Sequence, residues 1–347
     1  MGQIELFSTD TDDGVISVVA KTDKNAYHLA RQIKVGNAPR GGVKFTKSGR
    51  GFVSNTSQNT ISEIDPVSLE EVRRIEVGHG PRGLGLVPGD KYILVSNSGS
   101  DAISIVDLEL NIEVRQIPVG RDPRHMAVTA DGRTAFVCIW GDGVVLKLST
   151  VGLASGRPDL VSVLETIDVG TTAHPYSAAI DPTGTRLFVA NTQATYASVV
   201  DIASGAVTRV ELGFIGGRAV TFSPDEQYAL ITVETTSSVY VVRLSDLKVM
   251  RHIPVGPGPR GLAVDKEDHT MYITNFARTH AQWHEGLEFG PNTLTMVDLD
   301  SAPLDRQEGE FDYQEITVGY GPCSVTMFDL STLPSERLET GLARSER

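Results

Sequence analysis

Apolar positions along this chain fall in short runs of period two, separated by clusters of Asn, Ser, Gly and Asp. The stretch KYILVSNSGSDAISIVDL, residues 91–108, holds two such runs around a polar turn, and EVRQIPVG, residues 113–120, adds a third. Alternation of this kind suits half-buried strands, and the polar punctuation suits tight turns. A fourth run, short and rich in small residues, follows a recurring arginine, as in RGLAVD at 260–265.

That arginine belongs to a repeated phrase: VGNAPRGGV, VGHGPRGLG, VGRDPRHMA and VGPGPRGLA, which place Arg40, Arg82, Arg124 and Arg260. The first three are 42 residues apart. Weaker copies carry Arg218 in FIGGRAV, Tyr176 in HPYSAA and Cys323 in YGPCSV at the same slot, which makes seven units. Fifteen positions on comes Asn55, Asn97, Asn191 or Asn275, replaced by Ile139 and Val233 in two units. Ten further on comes Asp65, Asp107 or Asp201. Four short strands per unit, seven times over, predict an all-β, seven-bladed β-propeller as a single domain over 1–330. Small residues after the arginine suit the innermost strand, where backbones crowd the axis.

The ends predict the closure. ELFSTDTDDGVISVVA supplies a second and third strand and AYHLARQIKVG a fourth, with no first strand before them. GPCSVTMFDL supplies a first strand and stops. The last blade is therefore expected to join one C-terminal strand to three N-terminal ones, leaving no open edge. Residues 331–347 read as a polar tail.

The phrases VGxxPRG, VSNxxxxxIxxID and ILVSN resemble the YVTN family of seven-bladed propellers over residues 4 to 328. The resemblance implies the fold and a working face at the channel mouth, where loops from strand four to strand one and from strand two to strand three gather. It does not choose a function, because relatives include surface proteins, binding proteins, and lactonase-type and lyase-type enzymes. PRHM at 123–126 also resembles a stretch of propeller-type phosphogluconolactonases.

Composition narrows the partners. A net charge of −13 disfavours nucleic acid and anionic membrane surfaces. Two cysteines make no disulfide framework, and no apolar run of membrane-spanning length exists. No signal peptide is visible, so a cytoplasmic protein is expected, or a secreted or periplasmic one if a leader has been removed. A monomer acting on a small anionic molecule is expected. GxSxG, Walker, CxxC, CxxCH and HExxH motifs are all missing.

Candidate chemistry lies where the repeat is broken. The arginines Arg40, Arg82, Arg124, Arg218 and Arg260 could ring the mouth and hold a carboxylate or phosphate. The alternative is that they hold blades together through loop carboxylates or carbonyls. Tyr176 and Cys323 replace arginine in the ring, and Trp140 and Glu234 follow the two slots where Asn is lost. Cys323 beside several arginines is either an activated thiol or a small packing residue, whereas Cys138 in FVCIW reads as core. His125, His174 and His79 are loop or mouth histidines, for proton transfer or for plain hydrogen bonding.

The segment 275–298, NFARTHAQWHEGLEFGPNTLTMVD, carries thirteen residues more than its counterparts, between strands two and three of the sixth unit. It is expected over the mouth, with Trp283 lining a pocket and His284 and Glu285 transferring protons. Alternatively, its Trp packs on the next blade. His280 and His284, four apart, form a weak divalent-metal candidate, and no cofactor is expected otherwise. Other surplus residues, near VGLASGRPDL and SAPLDRQEGEFDYQE, fall between strands three and four, at the opposite face. The favoured function is a propeller enzyme working on a small anion by His/Glu acid–base chemistry, as a lyase, isomerase, cyclase or lactonase, with His284, Glu285, His125 and His174 as catalytic groups. The alternative is a scaffold binding a protein, peptide or small ligand on the same face.

Overall fold

The computed structural model describes residues 4–23, 26–276, 282–284 and 287–338, with backbone only at 282–284 and 287–288. Seven four-stranded antiparallel sheets succeed one another around an axis. Blade 1 spans residues 39–76, blade 2 81–118, blade 3 123–168, blade 4 175–211, blade 5 217–254 and blade 6 259–317. Blade 7 pairs Pro322–Asp329 with Ile4–Asp10, so three N-terminal strands and one C-terminal strand close the ring as expected.

Strands two and three are buried on both faces because each blade lies between two others. Tyr92–Asn97 and Ala102–Asp107 are buried at every position. Seven apolar clusters follow, one at each blade–blade interface. Phe7, Ile16 and Val18 of blade 7 meet Val43, Val53 and Ile64 of blade 1 across the closure. The outer strands face water: in Glu70–Glu76 only Ile75 is buried.

The repeated Asn and Asp now have physical reasons. Asn55 donates Nδ2 to Ser62 at 2.7 Å, and Ser62 donates to Glu71, so one side chain ties strands two, three and four. Asn97, Ser104 and Glu113 repeat that chain. Asp65 and Asp107 accept from backbone N–H groups two and three residues on, which shapes the turn after strand three. Blade 7 departs from the pattern: Asp10 stands in the Asn slot, fully buried, and accepts from Ser8, Ser17 and the Gly319 amide. Burial outweighs those bonds and pushes the Asp10 carboxyl up to about 7.

The two insertions between strands three and four are pinned by arginines of the preceding blade. Arg115 donates to the carbonyls of Pro158 and Val161, and Arg251 to those of Pro303, Glu308 and Gly309. Beyond the last strand, Leu333 is buried and Arg337 pairs with Asp65 of blade 1 at 3.1 Å. Among the described residues no helix is long and apolar enough to cross a membrane.

Candidate functional site

One backbone device, repeated in all seven units, builds the mouth. The residue two before the arginine slot is left-handed in every unit: Ala38, Gly80, Asp122, His174, Gly216, Gly258 and Gly321. Its carbonyl accepts from the amide of the residue after the Asn slot, namely Thr56, Ser98, Trp140, Thr192, Glu234, Phe276 and Thr11, at 2.8 to 3.1 Å. The loop entering each blade is thus fastened to the loop between its second and third strands. Hydroxyls lock the next layer: Ser54 donates to the carbonyls of both Arg40 and Arg82, and Ser96 to that of Arg124.

The consequence is convergence. Arg40, Arg82, Arg124, Tyr176, Arg218, Glu234, Arg260 and Phe276 line one basin of about 480 Å3 on the channel axis. Where Thr11, Thr56 and Ser98 use their hydroxyls to grip a proline carbonyl of the following blade, Glu234 and Phe276 turn their side chains into the basin instead. Phe276 lies under Arg260, whose guanidinium carbon is 3.4 Å from the ring centroid. Phe276 was not singled out in the sequence, although a phenylalanine at a slot held by Thr or Ser in four of the seven units was the available signal.

The basin is electrostatically lopsided. Glu234 accepts from Arg218 at 2.5 Å and from Arg260 at 2.8 and 3.0 Å. Burial opposes its ionisation, but the two guanidiniums prevail and hold its carboxyl below the usual range. Arg124 pairs with Asp122. Arg40 and Arg82 have no ion pair among the described residues, and the buried Nε atoms of Arg40, Arg82 and Arg124 have no acceptor. Burial, then the neighbouring charges of Arg124 and Arg40, push Arg82 down to about 10. Three crowded guanidiniums thus face one space without enough acceptors for their N–H groups.

Tyr176 stands between the two halves, its ring 4.8 Å from the Arg218 and 5.8 Å from the Arg124 guanidinium carbon. Beneath it, His125 lies with its ring centroid 5.0 Å from that of Tyr176. Burial first, then Lys44, Arg124, Arg82 and Arg40, press the His125 imidazole down to about 3, so it is neutral at physiological pH. Trp140 and His174 form a shoulder rather than a wall. Their rings are 4.1 Å apart, Trp140 donates Nε1 to Thr192, and Arg124 sits 5.0 Å over the indole. His174 Nδ1 donates to the Trp140 carbonyl at 2.9 Å, which fixes the tautomer and leaves Nε2 as the acceptor.

A deeper cavity of about 170 Å3 continues down the channel, sharing Tyr176, Arg218 and Arg260 with the basin. His125, Cys323 and Lys44 line it. Cys323 is buried, as is Cys138, whose thiol burial pushes far up. His280 and Glu285 lie outside the described residues. Trp283 and His284 fall on the short strand Gln282–His284, and their side chains also lie outside them. The loop that carries these four leaves the sheet at Asn275 and returns at Thr293, at the end of blade 6 where Arg260 stands. Among the described residues no group of three His, Cys, Asp or Glu side chains could hold a metal.

Comparison with known proteins agrees with this architecture. Residues 42–138 match the family model described as YNCE-like beta-propeller. The chain is a seven-bladed propeller, and the part that resembles the YNCE-like family is residues 42–138. No curated protein matches it by sequence. Among solved structures, the propeller is similar to a periplasmic gluconolactonase of Pseudomonas aeruginosa, with TM-score 0.75 and 14% identity, covering 94% of this chain and 99% of that one. A candidate 6-phosphogluconolactonase of Bacteroides fragilis gives TM-score 0.77 at 11% identity, covering 94% and 98%. A chain of Kuenenia stuttgartiensis hydrazine synthase gives 0.67 at 18% identity, covering 88% and 100%. At these identities the likeness concerns the fold.

Proposed function

We propose that the propeller is an enzyme for a small anionic substrate held in the arginine basin, with lactone opening as the reaction. The observation that carries this is the pair Arg40 and Arg82: two guanidiniums on the channel axis with no carboxylate partner among the described residues and with buried Nε atoms lacking acceptors. A purely structural arginine in a propeller loop has its partners supplied by the fold, as Glu234 supplies Arg260. The similarity in fold to proteins named as lactonases favours this reaction class.

In this reading the anionic group of the substrate sits on Arg40, Arg82 and Arg124. Water adds to the ring carbonyl, a guanidinium steadies the oxyanion, and the ring C–O bond breaks as the alkoxide takes the proton that the water gave up. His125, kept neutral, orients water as an acceptor rather than storing a proton. His174, whose Nδ1 donates to the Trp140 carbonyl, keeps Nε2 as an acceptor on the same face. Glu234 fixes Arg218 and Arg260 and takes no proton.

The test compares hydrolysis of 6-phosphogluconolactone with that of uncharged gluconolactone. The expected outcome is a higher kcat/KM for the phosphorylated lactone, lost by about 10²-fold or more in the Arg40→Ala/Arg82→Ala double variant, since two charge-assisted contacts are worth about 1.5–3 kcal/mol each. Equal rates for the two lactones, or none for either, would count against the proposal.

A further inference from the structure

Lys44 has no equivalent in the other six blades. On the innermost strand Pro39–Phe45 it pairs with Phe52. The residues that hold the same sheet position are Gly85, Ala127, Ala179, Thr221, Ala263 and Thr326, paired with Leu94, Phe136, Phe188, Leu230, Tyr272 and Phe7. Six blades place a small residue there and one places a long cation. A side chain of that length beside the channel does nothing for the ring that alanine does not do elsewhere.

The surroundings of Lys44 point to a ligand. It lines the 170 Å3 cavity below the basin, and no Asp or Glu lines that cavity with it. No hydrogen bond or ion pair to its ammonium occurs among the described residues, whereas Lys21, also only partly exposed, is held by Asp265 and Asp268. The cavity is continuous with the basin, since Tyr176, Arg218 and Arg260 line both. His125 lies between the two charge centres, with Lys44 below and Arg40, Arg82 and Arg124 above, and all four act on its imidazole. Removal from water disfavours the ammonium form of Lys44, and a bound anion would restore it.

We propose that Lys44 is the floor of a two-point anion site, so that the ligand carries two anionic groups, one on the Arg40–Arg82–Arg124 cluster and one reaching down the channel to Lys44. This rests on the basin being an anion site, as the proposed function holds. It deepens that reading by selecting a class, dicarboxylates and phosphorylated sugar acids, whose backbone spans past Tyr176 and His125; the second group is what opening of a phosphorylated lactone yields, so Lys44 would meet the carboxylate that the reaction creates. A single-headed anion would use the arginines and leave Lys44 uncompensated. Lys44 is therefore a specificity-determining residue.

Isothermal titration of the whole chain tests this with inorganic phosphate and acetate as single-headed probes. The two-headed probes are 6-phosphogluconate and the dicarboxylates from malonate to adipate. The wild-type protein is expected to bind its best two-headed probe at least tenfold more tightly than any single-headed one. Lys44→Met should erase that advantage while leaving phosphate affinity within twofold, and Lys44→Arg should retain part of it. Thermal melting of each variant checks that the ring is intact, and Lys44→Gln replaces Lys44→Met should the latter fail to fold. Phosphate binding with no advantage for any two-headed probe, or an advantage that survives Lys44→Met, overturns the Lys44 proposal alone. No anion binding at all by the wild-type chain overturns both this proposal and the basin reading on which it rests.

Discussion

Arg260 donates twice to one carboxylate oxygen of Glu234, at 2.8 and 3.0 Å, while the other oxygen of Glu234 accepts from Arg218. One side of the basin is therefore partly neutralised, one carboxylate serving two guanidiniums, and the side made by blades 1 to 3, with one ion-paired carboxylate among three arginines, keeps more uncompensated charge.

Replacing Glu234 by Gln tests that division. Two guanidiniums would lose their counter-charge in a partly desolvated place. We expect a loss of about 1–3 kcal/mol, below the figure for a fully buried pair because Glu234 keeps 23% side-chain exposure. Phosphate affinity should rise in the same variant, and millimolar phosphate should restore part of its Tm. A melting curve with and without phosphate reads both effects. An unchanged Tm with unchanged affinity would show that the pair does not divide the basin.

Gly83, directly after Arg82, tests the crowding at the axis. A Cβ there would lie 2.7 Å from His125 Cα and closer still to the Arg124 carbonyl oxygen, both backbone atoms that cannot swing away. Gly83→Ala should therefore cost about 3 kcal/mol or more, as overpacking against backbone does. Gly89 makes the control, since a Cβ added there would meet nothing within 4 Å but the backbone has a left-handed φ of 101°. Urea unfolding of Gly83→Ala beside Gly89→Ala separates steric crowding from backbone strain. Equal losses in the two variants would contradict a steric origin.

The closing blade should carry a distinctive pH signature. Asp10 and Glu5 are buried carboxyls, both raised to about 7. A raised carboxyl holds a proton in the folded state that the unfolded chain has released. Stability from these groups is therefore largest at low pH and falls as pH climbs from about 4 to about 7. His125 acts in the opposite sense: lowered to about 3, it costs stability as pH falls from about 6.5 towards 3. The difference between Asp10→Asn and wild type isolates the first effect. Asn is the residue at this slot in blades 1, 2, 4 and 6, so the variant keeps a workable partner for Ser17. We expect Asp10→Asn to gain stability over wild type as pH rises from 5 to 8, read by chemical unfolding at each pH. A constant difference across that range would mean that Asp10 is ionised throughout.

The period of 42 made the fold legible, because each strand of a propeller meets the same strand of its neighbours and exceptions of equal phase converge. Arg40, Arg82, Arg124, Arg218, Arg260, Tyr176 and Glu234 were placed together by phase alone, and they do share one basin. What phase could not show was the pairing within it: that Glu234 would be occupied by two arginines depends on side-chain reach, not on spacing. Lys44 was missed for a related reason. Counting by 42 aligns it with Leu86, an apolar residue, whereas strand pairing aligns it with Gly85, since blade 1 shifts register between Arg40 and Lys44. His174 and Trp140 fell on the right face, but the His174 ring is drawn to the Trp140 carbonyl by a left-handed backbone that no spacing announces.

We infer that Arg40 and Arg82 are held ready for an anion that the fold does not supply. The most direct measurement is titration of the wild-type chain and the Arg40→Ala/Arg82→Ala variant with 6-phosphogluconate at low and at high ionic strength. Saturable one-to-one binding to the wild type, weakened by salt, is expected, with at least a hundredfold loss in a variant that melts normally. Equal affinity in the two proteins, or no binding to the wild type, would contradict it.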